Sequence, residues 1–251
     1  MSINATSDYF QQSITFDSPD GLVNATLLAI DDYNSYNLQI CINYGSQIGA
    51  SIAMLIVLLL LSKPDKRLSV IMVLNYCSLI FNIIRYVLQC LYFTGPFVEL
   101  YAHFAGDWSH VKTKNVAISV TSTVFTLLLQ VSVELSLYLQ ARVVCVTLRK
   151  LYQHLVLGSS AVVAIVAVAF RFAYMVENDK TIVEEVSPRG LIFLGNATNI
   201  TTCISIVWFC MIFVTKLGVA LRQRKKMGLQ QFGPMQILII MGCQTLIIPG
   251  K

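Results

Sequence analysis

The chain has 251 residues, 56% of them hydrophobic and only 12% charged, with a mean hydropathy of +0.68. That is about half the usual share of charge for a soluble domain. The formal net charge of +5 does not point to nucleic acid, because the basic residues fall in short separated stretches without interleaved aromatics.

Residues 1–39 form a polar amino-terminal segment with two glycosylation sequons, at Asn4 and Asn24. No basic stretch precedes the first apolar run, so no cleaved signal peptide is expected and the first span should serve as its own insertion signal. Apolar runs then occupy 40–61, 70–93, 116–141, 155–176, 191–215 and 232–249. At about 1.5 Å per residue each of the first five covers a hydrocarbon layer of about 30 Å, while the sixth stops a few residues short. Stretches such as 55–61 and 161–170 are apolar all round, which suits a bilayer and not a water-soluble bundle. The fold class is therefore an all-α membrane protein.

Charge gives the orientation. Eleven of the eighteen Lys and Arg residues fall in 63–67, 142–150 and 216–226, together with one acid, Asp65. The alternate polar stretches, 1–39, 94–115 and 177–190, hold eleven acids and four bases. Cytoplasmic loops concentrate Lys and Arg, so the amino terminus is expected outside the cell. The seven cysteines lie mostly within or at the edges of spans, without the paired short spacings of a zinc site, and are expected to be free thiols.

Two outer segments stand out. The 94–115 loop is rich in rings (Phe97, Tyr101, His103, Phe104, Trp108) and reads either as a lid over an outer cavity or as interfacial anchoring. The 177–190 loop is acidic and ends in a turn at Pro188-Arg189-Gly190.

Polar groups inside the spans carry the functional signal. Gly45 and Gly49 place a flat groove on the first helix, suited to close helix approach or to dimerisation. Arg85, Glu134 and Arg171 each cost about 2.5–3.5 kcal/mol in hydrocarbon, so each should face the bundle interior or reach an interface. Arg171 can snorkel and receives no role. Arg85, about 22 Å from the inner end of its span, suits the floor of an outer cavity. Asn75, Ser78, Glu134, Gln140 and Gln244 are expected to satisfy one another in a buried cluster. Asn196, Thr198, Asn199, Thr201 and Thr202 crowd the outer half of the fifth span and suggest a wet surface, with the two sequons there unmodified. Pro249 permits a kink.

The stretch KLGVALRQRKKMGLQQFGPMQILIIMGCQTLIIP, 216–249, resembles the third inner loop and sixth helix of fungal alpha-factor-type peptide mating-pheromone receptors. The first-helix Gly45 and Gly49, LNYCSL at 74–79, VELSLYLQARV at 133–143 and Asn196-Ala-Thr198 match the same family in register. The resemblance implies a helical bundle of the seven-transmembrane receptor type, with five complete helices and most of a sixth present. It further implies a plasma-membrane G-protein-coupled receptor that binds a secreted peptide pheromone and pairs as a homodimer through the first helix. By that resemblance Asn196 and Thr198 line the peptide site and Gln47 sits where the family has a ligand-proximal residue; Arg85 joins them as a ligand-binding candidate on its depth alone. Asn75, Ser78, Glu134, Gln140, Gln244 and Pro249 form the network that rearranges on activation. Lys216, Arg222, Arg224, Lys225, Lys226, Gly228 and Leu229 meet a heterotrimeric G protein. No enzyme activity, cofactor, metal or nucleic-acid partner is expected.

The family continues beyond this sequence, and Gly250-Lys251 reads like translation through an intron donor. The expectation is an unspliced form that signals poorly alone; a regulatory or non-functional truncated receptor is the alternative. A six-span transporter would need paired broken helices or several membrane carboxylates, and Glu134 is a single one. An intramembrane enzyme would need motifs such as HExxH or GxSxG, which the sequence lacks.

Overall fold

A short β-hairpin leads into a run of long helices: β1 (Ser13–Ser18), β2 (Gly21–Thr26), α1 (Leu27–Leu61), α2 (Val70–Phe93), α3 (Leu100–Ala105), α4 (Thr113–Cys145), α5 (Lys150–Glu184) and α6 (Leu191–Lys226). This computed structural model describes residues 12–18, 21–62, 68–107, 112–146, 150–184 and 190–226. The expected sixth span at 232–249 lies outside the described residues. Among the described residues five helices are long and apolar enough to cross a membrane: Leu27–Leu61, Val70–Phe93, Thr113–Cys145, Lys150–Ile182 and Leu191–Val219.

The hairpin is an addition to the all-α reading. Its strands pair antiparallel from Ser13↔Thr26 to Ser18↔Gly21, and Gly21 has a φ of 129°, a conformation that suits glycine. Alternation sorts the faces. Phe16, Ser18 and Ala25 are covered, whereas Ser13, Thr15, Asp17, Leu22, Asn24 and Thr26 are exposed. Six-residue strands with one apolar face are marginal alone, so the hairpin needs the surface it packs on. That surface is α3 with the start of α1. Phe16 stacks on Phe104 at 5.8 Å, and the Tyr33 ring lies 4.2 Å from His103 and 5.9 Å from Phe104. The Tyr101 hydroxyl donates to the Asp17 carbonyl at 2.9 Å, and the Ser18 hydroxyl donates to the Ala105 carbonyl. Tyr101, His103 and Phe104 thus hold the hairpin, a use neither sequence alternative supplied; Trp108 lies outside the described residues.

α1 begins at Leu27, well before the apolar run that starts at 40. Thr26 caps it, its hydroxyl accepting from the Ala29 amide at 3.3 Å. The early turns are amphipathic, not uniformly apolar: Leu27, Ile30 and Tyr33 are covered, while Asp31 and Asp32 are exposed. α5 absorbs much of the acidic segment expected as a loop at 177–190. There Lys180 pairs with Glu177 at 3.4 Å, one helical turn apart.

The chain divides into two compact units. The first comprises Met1–Arg67, Tyr76–Leu129 and Ile182–Glu185; the second comprises Leu68–Asn75, Gln130–Thr181 and Val186–Lys251. Within each, the buried positions are mostly small or polar. They include Ser51, Ser122, Ser136, Ser160, Thr198 and Ser205 with Ala102, Ala141 and Ala167, while Leu60, Leu61, Ile165, Ile192 and Phe193 are exposed. That distribution suits hydrocarbon as solvent, where close approach of small residues and hydrogen bonds hold helices together.

Replacing Phe104 by Ala should release the hairpin and leave the long helices intact. The stacked and edge-on contacts contribute about 0.5–1.5 kcal/mol each beyond buried area. Hydrogen exchange over 13–26 should accelerate while exchange in α4 and α5 stays unchanged; equal protection of 13–26 in both proteins would show that the ring is not the anchor.

Candidate functional site

α2 carries a polar stripe at helical spacing, Asn75, Ser78, Asn82 and Arg85 at steps of three, four and three, of which the last three lie in the first unit. The Asn82 amide donates to the Ser51 hydroxyl of α1 at 2.9 Å, and Ser51 in turn donates to the Gln47 carbonyl at 2.7 Å. Asn82 and Ser51 were not singled out in the sequence, although the i, i+3, i+7 spacing with Asn75 and Ser78 carries the signal. Gln47 is half-buried, and its side-chain amide donates to Asn43 one turn back at 3.0 Å. Arg85 lies over the Tyr86 ring at 4.9 Å, and Tyr86 packs on Tyr44 at 5.4 Å. The buried Nε of Arg85 has no hydrogen-bond partner, and among the described residues no carboxylate pairs with it.

In the second unit, Glu134 is 2% exposed and both carboxylate oxygens are engaged. Oε1 accepts from the Gln130 amide at 2.9 Å and Oε2 from the Ser205 hydroxyl of α6 at 2.7 Å. Asn75 is held separately: its Oδ1 accepts from Ser136 at 2.6 Å, and the Ser136 hydroxyl accepts from Gln140 at 3.0 Å. Among the described residues, Glu134 and Asn75 thus sit in separate hydrogen-bond networks. Residues 134 and 136 stand about 200° apart around a helix, so Glu134 meets α6 while Ser136 meets α2. Gln130, Ser136 and Ser205 complete these networks and were missed: a serine in an apolar run gives no sequence signal above its neighbours, while Gln130, four residues before Glu134, carried an i, i+4 signal. Ser78 is half-buried on α2. Gln244 and Pro249 lie outside the described residues.

The cluster on the fifth span also divides. Thr198 is fully buried, and its hydroxyl reaches the Phe170 carbonyl of α5 at 3.1 Å and the Leu194 carbonyl at 2.8 Å. This corrects the expectation that Thr198 lines an open cavity: its hydroxyl joins two helices. Asn196 and Asn199 are exposed on other faces of α6. The buried stripe runs through Gly195, Thr198, Thr202, Ser205 and Phe209. A Cβ at Gly195 would come within 3.2 Å of the Tyr174 ring, which accounts for the glycine. Trp208 closes the same helix pair, donating to Ser160 at 3.2 Å.

Gly45 and Gly49 are exposed with nothing within 4 Å of an added Cβ. Lys216 is half-buried and Arg222 exposed on α6. The helix backbone continues through Arg224, Lys225 and Lys226, whose side chains are not described, and Gly228 and Leu229 lie outside the described residues, as does Asn4. Asn24 is exposed on β2 and accepts from Thr15 at 2.7 Å.

Residues 7–250 match the family model described as fungal pheromone mating factor STE2 GPCR. The chain belongs to this family. It is similar to the pheromone alpha factor receptor of Saccharomyces cerevisiae, with 30% identity over 99% of this chain and 55% of that protein. The pheromone alpha factor receptor of Lachancea kluyveri is 26% identical, covering 94% of this chain and 58% of the relative. The pheromone P-factor receptor of Schizosaccharomyces pombe is 24% identical, covering 97% and 71%. The chain thus spans a little over half the length of the alpha factor receptors that it matches. Members of the family are G-protein-coupled receptors and not enzymes.

The Glu134–Ser205 bond should show as coupling between α4 and α6. In a double-mutant cycle of Glu134→Ala and Ser205→Ala, the interaction energy should be about 0.6–1.7 kcal/mol, the range of interhelical hydrogen bonds in membranes. Thermal unfolding of detergent-solubilised protein measures it; additive losses would mean that the bond contributes nothing.

Proposed function

We propose that this chain is the helical body of a plasma-membrane receptor for a secreted peptide pheromone, coupled to a heterotrimeric G protein. The observation that carries the reading is the family match over almost the whole chain, shared with three relatives named as pheromone receptors. The charge asymmetry of the polar stretches puts the hairpin and α3 outside and the basic end of α6 inside. At about 54 Å, α6 exceeds a hydrocarbon core of about 30 Å by several turns. Its basic end, with Lys216, Arg222, Arg224, Lys225 and Lys226, then stands in the cytoplasm as a docking arm for the G protein.

Among residues of the first unit, Arg85 and Gln47 are the ones offered to the peptide; in the second unit the candidate is Asn196, and Thr198 joins α5 to α6. Asn75, Ser136 and Gln140, and separately Glu134, Gln130 and Ser205, are the contacts that activation would exchange. The peptide must bind the exchanged arrangement more tightly than the resting one, or it shifts nothing. Asn24 and Asn4 are the outer glycosylation sites. The open face at Gly45 and Gly49 is the homodimer contact.

Membranes from cells expressing the chain should retain a peptide from the medium of opposite-mating-type cells of the source fungus; membranes without the chain should not. Failure to retain any peptide would sink the receptor reading. A second check concerns pairing. Gly45→Leu with Gly49→Leu should abolish co-purification of two differently tagged copies without lowering the melting temperature, because the added side chains meet nothing among the described residues. Undiminished co-purification would remove this face from the interface.

A further inference from the structure

We infer that Arg85 receives a carboxylate of the bound peptide, and so selects for an acidic group at that point of the ligand. The inference rests on the receptor reading above and deepens it by naming what the site recognises. Arg85 sits eight residues before the end of α2 at Phe93, about 12 Å into the helix. A guanidinium at such depth is costly unless paired, and an intramembrane ionisable residue marks a site whose partner must be identified. The protein supplies part of an answer. The positive charge faces the Tyr86 ring at 4.9 Å, a cation–π contact, while the buried Nε donates to nothing. Among the described residues the carboxylates are elsewhere: Glu134 is spent on Gln130 and Ser205, and Glu177 on Lys180.

The contrast within one stripe sharpens the point. Asn75 and Asn82 are each engaged by a neighbouring helix. Arg85, the outermost member, keeps a donor unmet. A second orphan lies beside the same helix pair. Phe81 of α2 meets Phe125 of α4 at 5.9 Å. Consecutive membrane crossings run antiparallel, so Arg85, four residues on from Phe81, and Ser122, three before Phe125, lie one turn to the same side of that contact. The Ser122 hydroxyl is buried without a hydrogen-bond partner. A fork of guanidinium donors on α2, with an unmet hydroxyl one turn to the same side of the Phe81–Phe125 contact on α4 and the Tyr44 and Tyr86 rings next to the arginine, is suited to a carboxylate, which accepts two parallel bonds from arginine.

The test uses the peptide fraction of medium conditioned by cells of the opposite mating type, bound to membranes carrying the wild-type chain, Arg85→Lys, Arg85→Gln or Arg85→Leu. Removing a charge-assisted contact should weaken retention roughly 10- to 100-fold in Arg85→Gln and Arg85→Leu, with Arg85→Lys intermediate. Peptide whose carboxylates have been converted to amides should bind wild type and Arg85→Gln alike, and as weakly as native peptide binds Arg85→Gln. Peptide recovered from the wild type, sequenced and resynthesised with either a terminal amide or Asn and Gln for its acids, then assigns the carboxylate to the terminus or to a side chain. Without peptide, Arg85→Leu should melt no lower than the wild type, because it removes an unpaired charge; a clear drop would make Arg85 a structural residue and overturn the proposal. Equal retention by wild type and Arg85→Gln would overturn it while leaving the receptor reading intact. Wild-type membranes that retain nothing would overturn both.

Discussion

Everything in this fold follows from the solvent being hydrocarbon. Between two helices in lipid no water is released, so large apolar side chains gain little by turning inward. Leu60, Leu61, Ile165, Ile192 and Phe193 accordingly face out, and most buried positions go to serine, threonine and alanine. Many hydroxyls on these helices find an acceptor on their own helix: Thr121, Thr126, Thr201, Thr202 and Thr215 each donate to the carbonyl four residues back. The hydroxyls that reach a second helix, at Ser136, Thr198 and Ser205, are therefore the ones that fix how helices meet.

α4 shows how one helix serves two partners. Its buried polar residues include Gln130, Glu134 and Ser136. Glu134 with Gln130 turns toward α6, and Ser136 with Gln140 turns toward α2. A carboxylate that accepts two bonds while almost wholly covered is stable only as long as both donors remain.

The long helices, their membrane character and the polar positions within them were legible because a bilayer imposes length and apolarity at once. Less legible were features governed by amphipathicity or by single small residues. α1 starts at Leu27 because Leu27, Ile30 and Tyr33 share a covered face, a pattern hidden when only unbroken apolar runs are counted. The hairpin is held by Phe16, Tyr33 and Phe104, contacts between positions far apart in sequence. The partners of Glu134 and Asn75 could be enumerated but not assigned, since the choice turns on which side of α4 each residue occupies. Thr198 looked like cavity lining because it neighbours Asn196, yet two residues on a helix face nearly opposite ways.

Glycine makes the same point from the other direction. Gly195 and the Gly45–Gly49 pair look alike in the sequence, each removing a side chain from a membrane helix. Gly195 is consumed: the Tyr174 ring occupies the space, and a methyl there would press on it at 3.2 Å. At Gly45 and Gly49 the space is empty and the surface faces away from the rest of the described chain. A glycine in a helix costs about 0.5–1 kcal/mol relative to alanine. At Gly195 the close approach of α5 offsets that cost within the chain. At Gly45 and Gly49 nothing among the described residues does, which is why that flat face is the one proposed above for a second copy.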